Sequence, residues 1–342
     1  MRLSAANKAG SRSRRLVLAA LISMGCICAG ASLGSSSIRL ADTARIILGR
    51  TEGISARDVS IVRQLRLPRV LLAFMVGGAL AVSGAVFQSI LKNQLASPYV
   101  IGVSSGASLG AALVILCGLS LPLLGRFTLP VTGFTAGLLT VFFVIAFSVR
   151  LDPNMSGNTV ILFGMVVSLF VNALLTTLMA LFREELKTLI LWQMGSFALK
   201  GWPYVTMMLP FVVLGGFGLI RHSRDLDLLS FGEDEAQALG LEARSVKRRL
   251  FFLASLLTGA AVALCGAIGF VDLIAPHIGR RIIGPNHRYA LPMSFFIGGC
   301  MMITADLAAR TIISPAELPV GAVTCLIGAP FFAWVYFRRG RG

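Results

Sequence analysis

The chain has 342 residues, of which 56% are hydrophobic and only 13% charged, and its mean hydropathy is +0.82. Soluble domains carry roughly 25% charged residues, so this composition excludes a soluble globular fold. Apolar runs of about twenty residues recur along the chain, the mark of a polytopic helical membrane protein. The net charge of +16 would suggest nucleic acid in a soluble protein. Here it reflects basic loops held on the cytoplasmic side of a bilayer, and no nucleic-acid partner is expected.

In chain order, the basic residues Arg2, Lys8, Arg12, Arg14 and Arg15 precede a first apolar run, about Leu16–Leu33. With no convincing A-x-A cleavage site, it reads as a first helix with its N-terminus inside rather than a signal peptide. A polar stretch, 35–67, leads to a second span, about Pro68–Leu91, with proline in its first turn. The third, about Pro98–Cys117, carries Gly102, Gly106 and Gly110 at four-residue spacing, and the fourth, about Leu129–Val149, carries Gly133 and Gly137. Such spacing lets a neighbouring backbone approach closely. Spans follow at about Thr159–Phe182, Tyr204–Ile220 and Leu250–Phe270, then a short segment Leu273–Ile283 and two more at about Tyr289–Ala309 and Val320–Phe337. Ten spans with both termini cytoplasmic put the larger part of the 31 basic residues inside, Lys247 and Arg341 among them. The outer remainder includes Arg183 and a run of seven from Arg39 to Arg69.

One densely charged stretch interrupts the second half, Asp225–Arg249, with six of the fifteen acidic residues. Ser230 and Glu233 have capping-box spacing. Glu233, Asp234 and Glu235 suit a first helical turn, and Gly240 suits the residue that ends the helix. Ala236 and Leu239, three apart, give it a small apolar face. A short amphipathic helix between two spans reads either as a handle for another protein or as a solvated loop, and spacing alone leaves both open.

Ala79–Phe87 (ALAVSGAVF) and Ala261–Gly269 (AVALCGAIG) match in their order of small and large residues, on the second and seventh spans, which run in opposite directions. An inverted repeat is common in transporters. The six cysteines (Cys26, Cys28, Cys117, Cys265, Cys300, Cys325) lie in apolar runs without ligand spacing and read as small hydrophobes, so neither disulfide nor metal site is expected. There is no G-x-x-x-x-G-K-[ST], no H-E-x-x-H and no nucleophile–base pair, hence no catalytic residue and no nucleotide site.

From Arg66 to Phe332 the chain resembles the permease subunit of the iron-chelate and cobalamin branch of bacterial ABC importers. The resemblance rests on RLPR (Arg66–Arg69), GALAVSGAVFQ (Gly78–Gln88), LASP followed by Gly102, LDLLSFGEDEAQALG (Leu226–Gly240), GAIGFVDLIAPHIGRR (Gly266–Arg281), NHRYALP (Asn286–Pro292), ADLAAR (Ala305–Arg310) and ELPVGAVTCLIGAPFF (Glu317–Phe332). It implies an all-α permease domain of about ten transmembrane helices over 1–342, in a bacterial inner membrane, paired with a second copy or a paralogue. It also implies two cytoplasmic ATPase subunits that bind ATP and Mg, a substrate-binding protein on the outer face, and no cofactor on this chain.

By that resemblance Gly232, Glu233, Ala236, Leu239 and Gly240 belong to an ATPase-coupling helix. Arg66, Arg69 and Arg310 dock the binding protein, with membrane-interface anchoring as the plainer alternative. Asn93 and Leu95, with Gly157, Asn158 and Thr159, form the cytoplasmic gate. The family pattern N-P-L-A is here Asn93-Gln94-Leu95-Ala96, and F-V-G-L is Phe270-Val271-Asp272-Leu273. Asp272 reads as a cap for the short eighth helix, Asp306 as an ion-pair partner of Arg310 at i+4, and His277 and His287 as packing or loop residues. The cargo implied is a ferric siderophore, with haem or a corrinoid as alternatives. An ion-driven carrier would need Asp272 and Asp306 to line a pathway. A non-transporting receptor or scaffold would have no use for an ATPase handle.

Overall fold

The computed structural model describes residues 2–34, 38–182 and 184–339. Arg183 and Arg341 lie outside the described residues, as do the side chains of Arg2, Lys8, Arg338 and Arg339. The protein is all-α, with no strand among the described residues. The helices are α1 (Arg2–Ser32), α2 (Leu40–Ile47), α3 (Ala56–Ser60), α4 (Leu67–Ile90), α5 (Val103–Leu116), α6 (Thr128–Leu151), α7 (Gly157–Leu181) and α8 (Leu186–Gln193). They continue with α9 (Trp202–Arg221), α10 (Ser223–Phe231), α11 (Glu233–Ala238), α12 (Ala243–Cys265), α13 (Val271–Ile283), α14 (His287–Thr311) and α15 (Val320–Arg339). Among the described residues, 7 helical segments are long and apolar enough to cross a membrane, and α5 and the apolar part of α15 are shorter. At about 1.5 Å per residue, the 14 residues of α5 fall short of a hydrocarbon core of about 30 Å.

The chain forms two compact units, Met1–Ala81 with Ser196–Pro210 and Gly269–Gly342, and Val82–Gly195 with Phe211–Ile268. In the first unit, α14 packs against α1 and α4 through small residues. A Cβ on Gly77 would strike the Gly298 carbonyl, and one on Gly30 would meet Ile303 and Val70. Phe295 lies over Gly78 and Phe74 over Gly299, and the two rings meet edge to face at 5.4 Å. This close approach is how apolar helices associate without a hydrophobic driving force from lipid.

In the second unit the glycine spacing does what it suggests. Gly106 and Gly110 of α5 fit against Thr140, Ala136 and Thr132 of α6, and Gly137 of α6 faces the Val103 carbonyl. Gly102 is an exception, because it stands before the helix at φ +89°, ending a tight turn over Pro98–Ile101. The seventh span begins and ends earlier than expected. Helix α12 stops at Cys265, where Gly266 turns at φ +81° against Trp192 and Gly195. The tail of the second repeat motif, Gly266–Gly269, therefore leaves the helix while its counterpart in α4 stays helical.

Candidate functional site: a handle helix, a gate loop and an arginine cluster

In the second unit, α11 follows α10 after one extended residue, Gly232, which takes the N-cap position. The expected capping box does not form. Ser230 lies inside α10 with its hydroxyl donating to the Leu226 carbonyl, and Gly232 has no side chain to cap with. Glu235, at N3, instead folds its carboxylate back over Gly232, where a Cβ would overlap it. The C-terminus follows expectation, since Gly240 adopts φ +84° and donates to Gln237 while Leu241 donates to Ala236. That pair of bonds is the Schellman arrangement, which satisfies the last carbonyls. Ala236 and Leu239 do not share an environment: Ala236 is fully buried, whereas Leu239 is 70% exposed, as is Phe231 at 81%. The segment thus rests on the protein through Ala236 and shows two large apolar side chains to the outside.

The loop between α6 and α7 is knotted by one carboxylate. Asp152 accepts from the Asn154 and Ser156 amides at 2.9 and 2.8 Å and from the Thr159 hydroxyl at 3.3 Å. The Ser156 hydroxyl foremost, and then these amides, hold the Asp152 carboxyl down at about 2. Gly157 opens α7 directly beneath the Leu91 carbonyl, where a Cβ would not fit. Asn93 closes its own turn by accepting from the Leu95 amide at 2.9 Å. Gly157 and Thr159 therefore share one tight turn beside the Leu91–Leu95 loop, while Asn158 and Leu95 are exposed.

Lys247 sits between α11 and this loop. Its ammonium donates to the Asn154 and Met155 carbonyls, both at 3.1 Å, and pairs with the Glu233 carboxylate. Only 1% of its side chain is exposed. A buried ammonium is tolerated only when its charge and its protons find partners.

The three arginines lie in the first unit. The turn Ile61–Arg66 is π-wound and runs into α4, carrying Arg66 and Arg69 round to the ends of α1 and α14. Arg69 grips two carboxylates with one guanidinium: Asp306 at 2.8–3.1 Å and Glu317 at 2.8–2.9 Å. Arg66, buried, donates to the Ala31 and Ser32 carbonyls. Arg310 donates to the Gly30 carbonyl and stands 3.7 Å from Asp306, so Asp306 has the expected i+4 partner and a closer one besides. The hydrogen bond to Arg69 lowers the Glu317 pKa below the usual carboxylate value. A cavity of about 740 Å³ opens here, lined among others by Arg57, Arg66, Arg69, Lys200, Arg310 and Glu317.

Asp272 is not a cap. It is the second residue of α13, whose N-cap is Phe270 at φ +69°, and its side chain is buried in the first turn. His287 is buried at the start of α14. Among the described residues no three His, Cys, Asp or Glu side chains gather as metal ligands. Sequence reasoning gave no role to Glu317, Asp152 or Lys247.

Long apolar helices, tight glycine packing and charged hubs at the helix ends describe a multi-pass membrane protein of the transporter class. The family model of the FecCD transport family matches residues 19–338, and the chain belongs to that family: it is an ABC transporter permease. It is 46% identical to YvrB, an uncharacterized ABC transporter permease protein of Bacillus subtilis, across 83% of this chain and 80% of that one. It is 39% identical to HmuU, the hemin transport system permease protein of Yersinia pestis, across 80% and 82%. A solved metal-chelate type ABC transporter in an inward-facing conformation superposes with a TM-score of 0.83 at 32% identity, covering 95% of this chain and 99% of that one.

Proposed function

We propose that this permease carries a metal chelate inward across a bacterial inner membrane by alternating access, as one of two permease copies driven by two ATPase subunits. A ferric siderophore is the first reading of the cargo. Haem is the second, favoured by the hemin permease among its relatives. In this reading the chain crosses the bilayer ten times with both ends cytoplasmic, the shorter α5, α13 and α15 completing the count. ATP and Mg belong to the partner subunit, and this chain holds no cofactor.

The observation that carries the reading is the α10–α11 segment. A partner groove needs a short, stiff, protruding element, and α11 is capped at its C-terminus, anchored by Ala236 and flanked by exposed Phe231 and Leu239. Large apolar side chains of this kind anchor protein interfaces. The gate is proposed at Asn93, Leu95 and Gly157–Thr159, supported by the two tight turns and the close approach of Gly157 to the Leu91 carbonyl.

The arginine cluster supports docking of an acidic binding protein by its field more than by direct pairing, because the Arg69 fork is already filled by Asp306 and Glu317. Exposed Arg57 at the cavity is free to meet a carboxylate of the partner. The same pairing speaks against an ion-driven carrier, since Asp306 is engaged by two arginines.

The test is reconstitution in liposomes with the ATPase subunits and binding protein. Leu239→Arg and Phe231→Arg are expected to abolish co-purification of the ATPase and uptake of radioactive iron from a panel of siderophores and haem. Glu233 is a poorer probe, because its substitution also strips Lys247. Undiminished uptake by both variants would sink the handle reading.

A further inference from the structure

We propose that Lys247 is the positioning residue that joins the handle helix to the gate loop, so that α11 and residues 152–159 move as one body during transport. The proposal rests on the coupling and gate readings above and adds the physical connection between them.

An ammonium has three protons to donate. Those of Lys247 face three acceptors: one Glu233 oxygen and the carbonyls of Asn154 and Met155. The group is saturated by this one arrangement, in a setting with almost no access to water. Glu233 is the first residue of α11, and the two carbonyls lie mid-loop, more than 70 residues away in sequence. Moving α11 away from α12 would take the carboxylate from a buried cation, and moving the loop would take the carbonyls. Either separation leaves a charge without partners in a dry place, which is among the costliest local changes a protein can make.

The loop is built to receive such a pull as a unit. Asp152 ties both ends of the turn to itself, the Met155 side chain is buried, and the Met155 backbone is fixed at φ +51°. Gly157 then bears on the Leu91 carbonyl, next to the Asn93 turn. A displacement of α11 thus has a continuous path of contacts to both proposed gate loops. Arg244, Arg248 and Arg249, on the same helix as Lys247, are exposed and have no such reach.

The experiment compares Lys247→Met, Lys247→Arg and Glu233→Gln in the full importer, reconstituted with its ATPase subunits and binding protein. Spin labels at exposed Gln237→Cys and Pro153→Cys, in a cysteine-free background, report helix and loop separately. In Lys247→Met and Lys247→Arg the ATPase is expected to co-purify and the Gln237 label to respond to ATP. In Lys247→Met the Pro153 response disappears and uptake per ATP hydrolysed falls about tenfold. Lys247→Arg restores part of both. Exchanging the two residues, Glu233→Lys with Lys247→Glu, does not rescue, because a carboxylate cannot donate to two carbonyls. A purely structural lysine would change thermal stability and leave the Pro153 response and the coupling ratio intact. That result, or a rescue by the exchange, overturns the proposal. Failure of the unsubstituted chain to capture the ATPase is a different outcome: it removes the coupling reading itself.

Where Lys247→Met fails to fold, Glu233→Gln carries the test. It removes only the partly exposed arm of the link, and a normal Pro153 response in that variant also overturns the proposal.

Discussion

Among the described residues, two buried cationic hubs are built on opposite plans. The arginine hub brings Arg66, Arg69 and Arg310 to two carboxylates, Asp306 and Glu317, and spends the surplus on backbone carbonyls at the end of α1. Five cationic side chains and one carboxylate, Glu317, line the cavity of about 740 Å³ that the hub borders. The lysine hub has one cation, one carboxylate and two carbonyls, with no donor unused. A surplus facing a cavity makes a field that acts on something outside the chain. A closed set of bonds acts only on the segments that supply it. The first plan suits recognition, the second transmission.

The sharpest way to break the comparison is to empty the first hub. Arg69→Met leaves Asp306, at 1% exposure, with only Arg310 at 3.7 Å. Breaking a buried ion pair in this way costs about 3–5 kcal/mol, read as a fall in the thermal midpoint of the detergent-solubilised protein. A loss below about 1 kcal/mol would mean that the carboxylate re-pairs easily, and the hub would not be the fixed structure described. Glu233→Gln is expected to cost less, about 1–3 kcal/mol. Glu233 is 25% exposed, so water can replace part of what the ammonium loses. Equal losses at the two hubs would erase the distinction between them. Gly240→Ala comes next, at about 1 kcal/mol, because φ +84° is strained for any residue with a Cβ. Its effect should appear as faster amide exchange confined to α11 and the following turn, with the arginine hub unchanged.

How much of this was readable from the chain differs between the hubs for a physical reason. Glycine packing of α5 on α6 and the stop at Gly240 follow from local rules, and the sequence shows them directly. The partners of Asp306 do not: i+4 spacing finds Arg310, but the closer Arg69 is 237 positions away and comes from tertiary packing. Ser230 fits the capping pattern, and the helix instead starts after Gly232, which breaks the chain first. Lys247 had a signal that went unused. It lies four residues after Ala243 and three and four before Leu250 and Phe251, all buried, so it falls on the apolar stripe of α12 while its arginine neighbours do not. A lone lysine on a buried stripe asks for acceptors. Backbone carbonyls supply most of them here, and carbonyls carry no residue-type signature.

The smallest expected effect concerns Asp152, and its value lies in its direction. An aspartate has a pKa near 3.9 when unfolded and here is held at about 2 by the hydrogen bonds of its own turn. A depressed carboxylate contributes its stabilisation in full above the unfolded value and loses it as pH falls through the folded one. The gate-loop turn should therefore be indifferent to pH from neutrality down to about 4 and loosen only below that. Intrinsic-rate-corrected exchange of the Asn154 and Ser156 amides measures this, with Asp152→Asn expected to flatten the profile. A profile that stays flat from about pH 4 down to about pH 2 would show that the carboxylate titrates as an ordinary surface acid. The turn would then be too soft to pass on a displacement of Lys247, and the lysine hub would hold α11 without moving the gate.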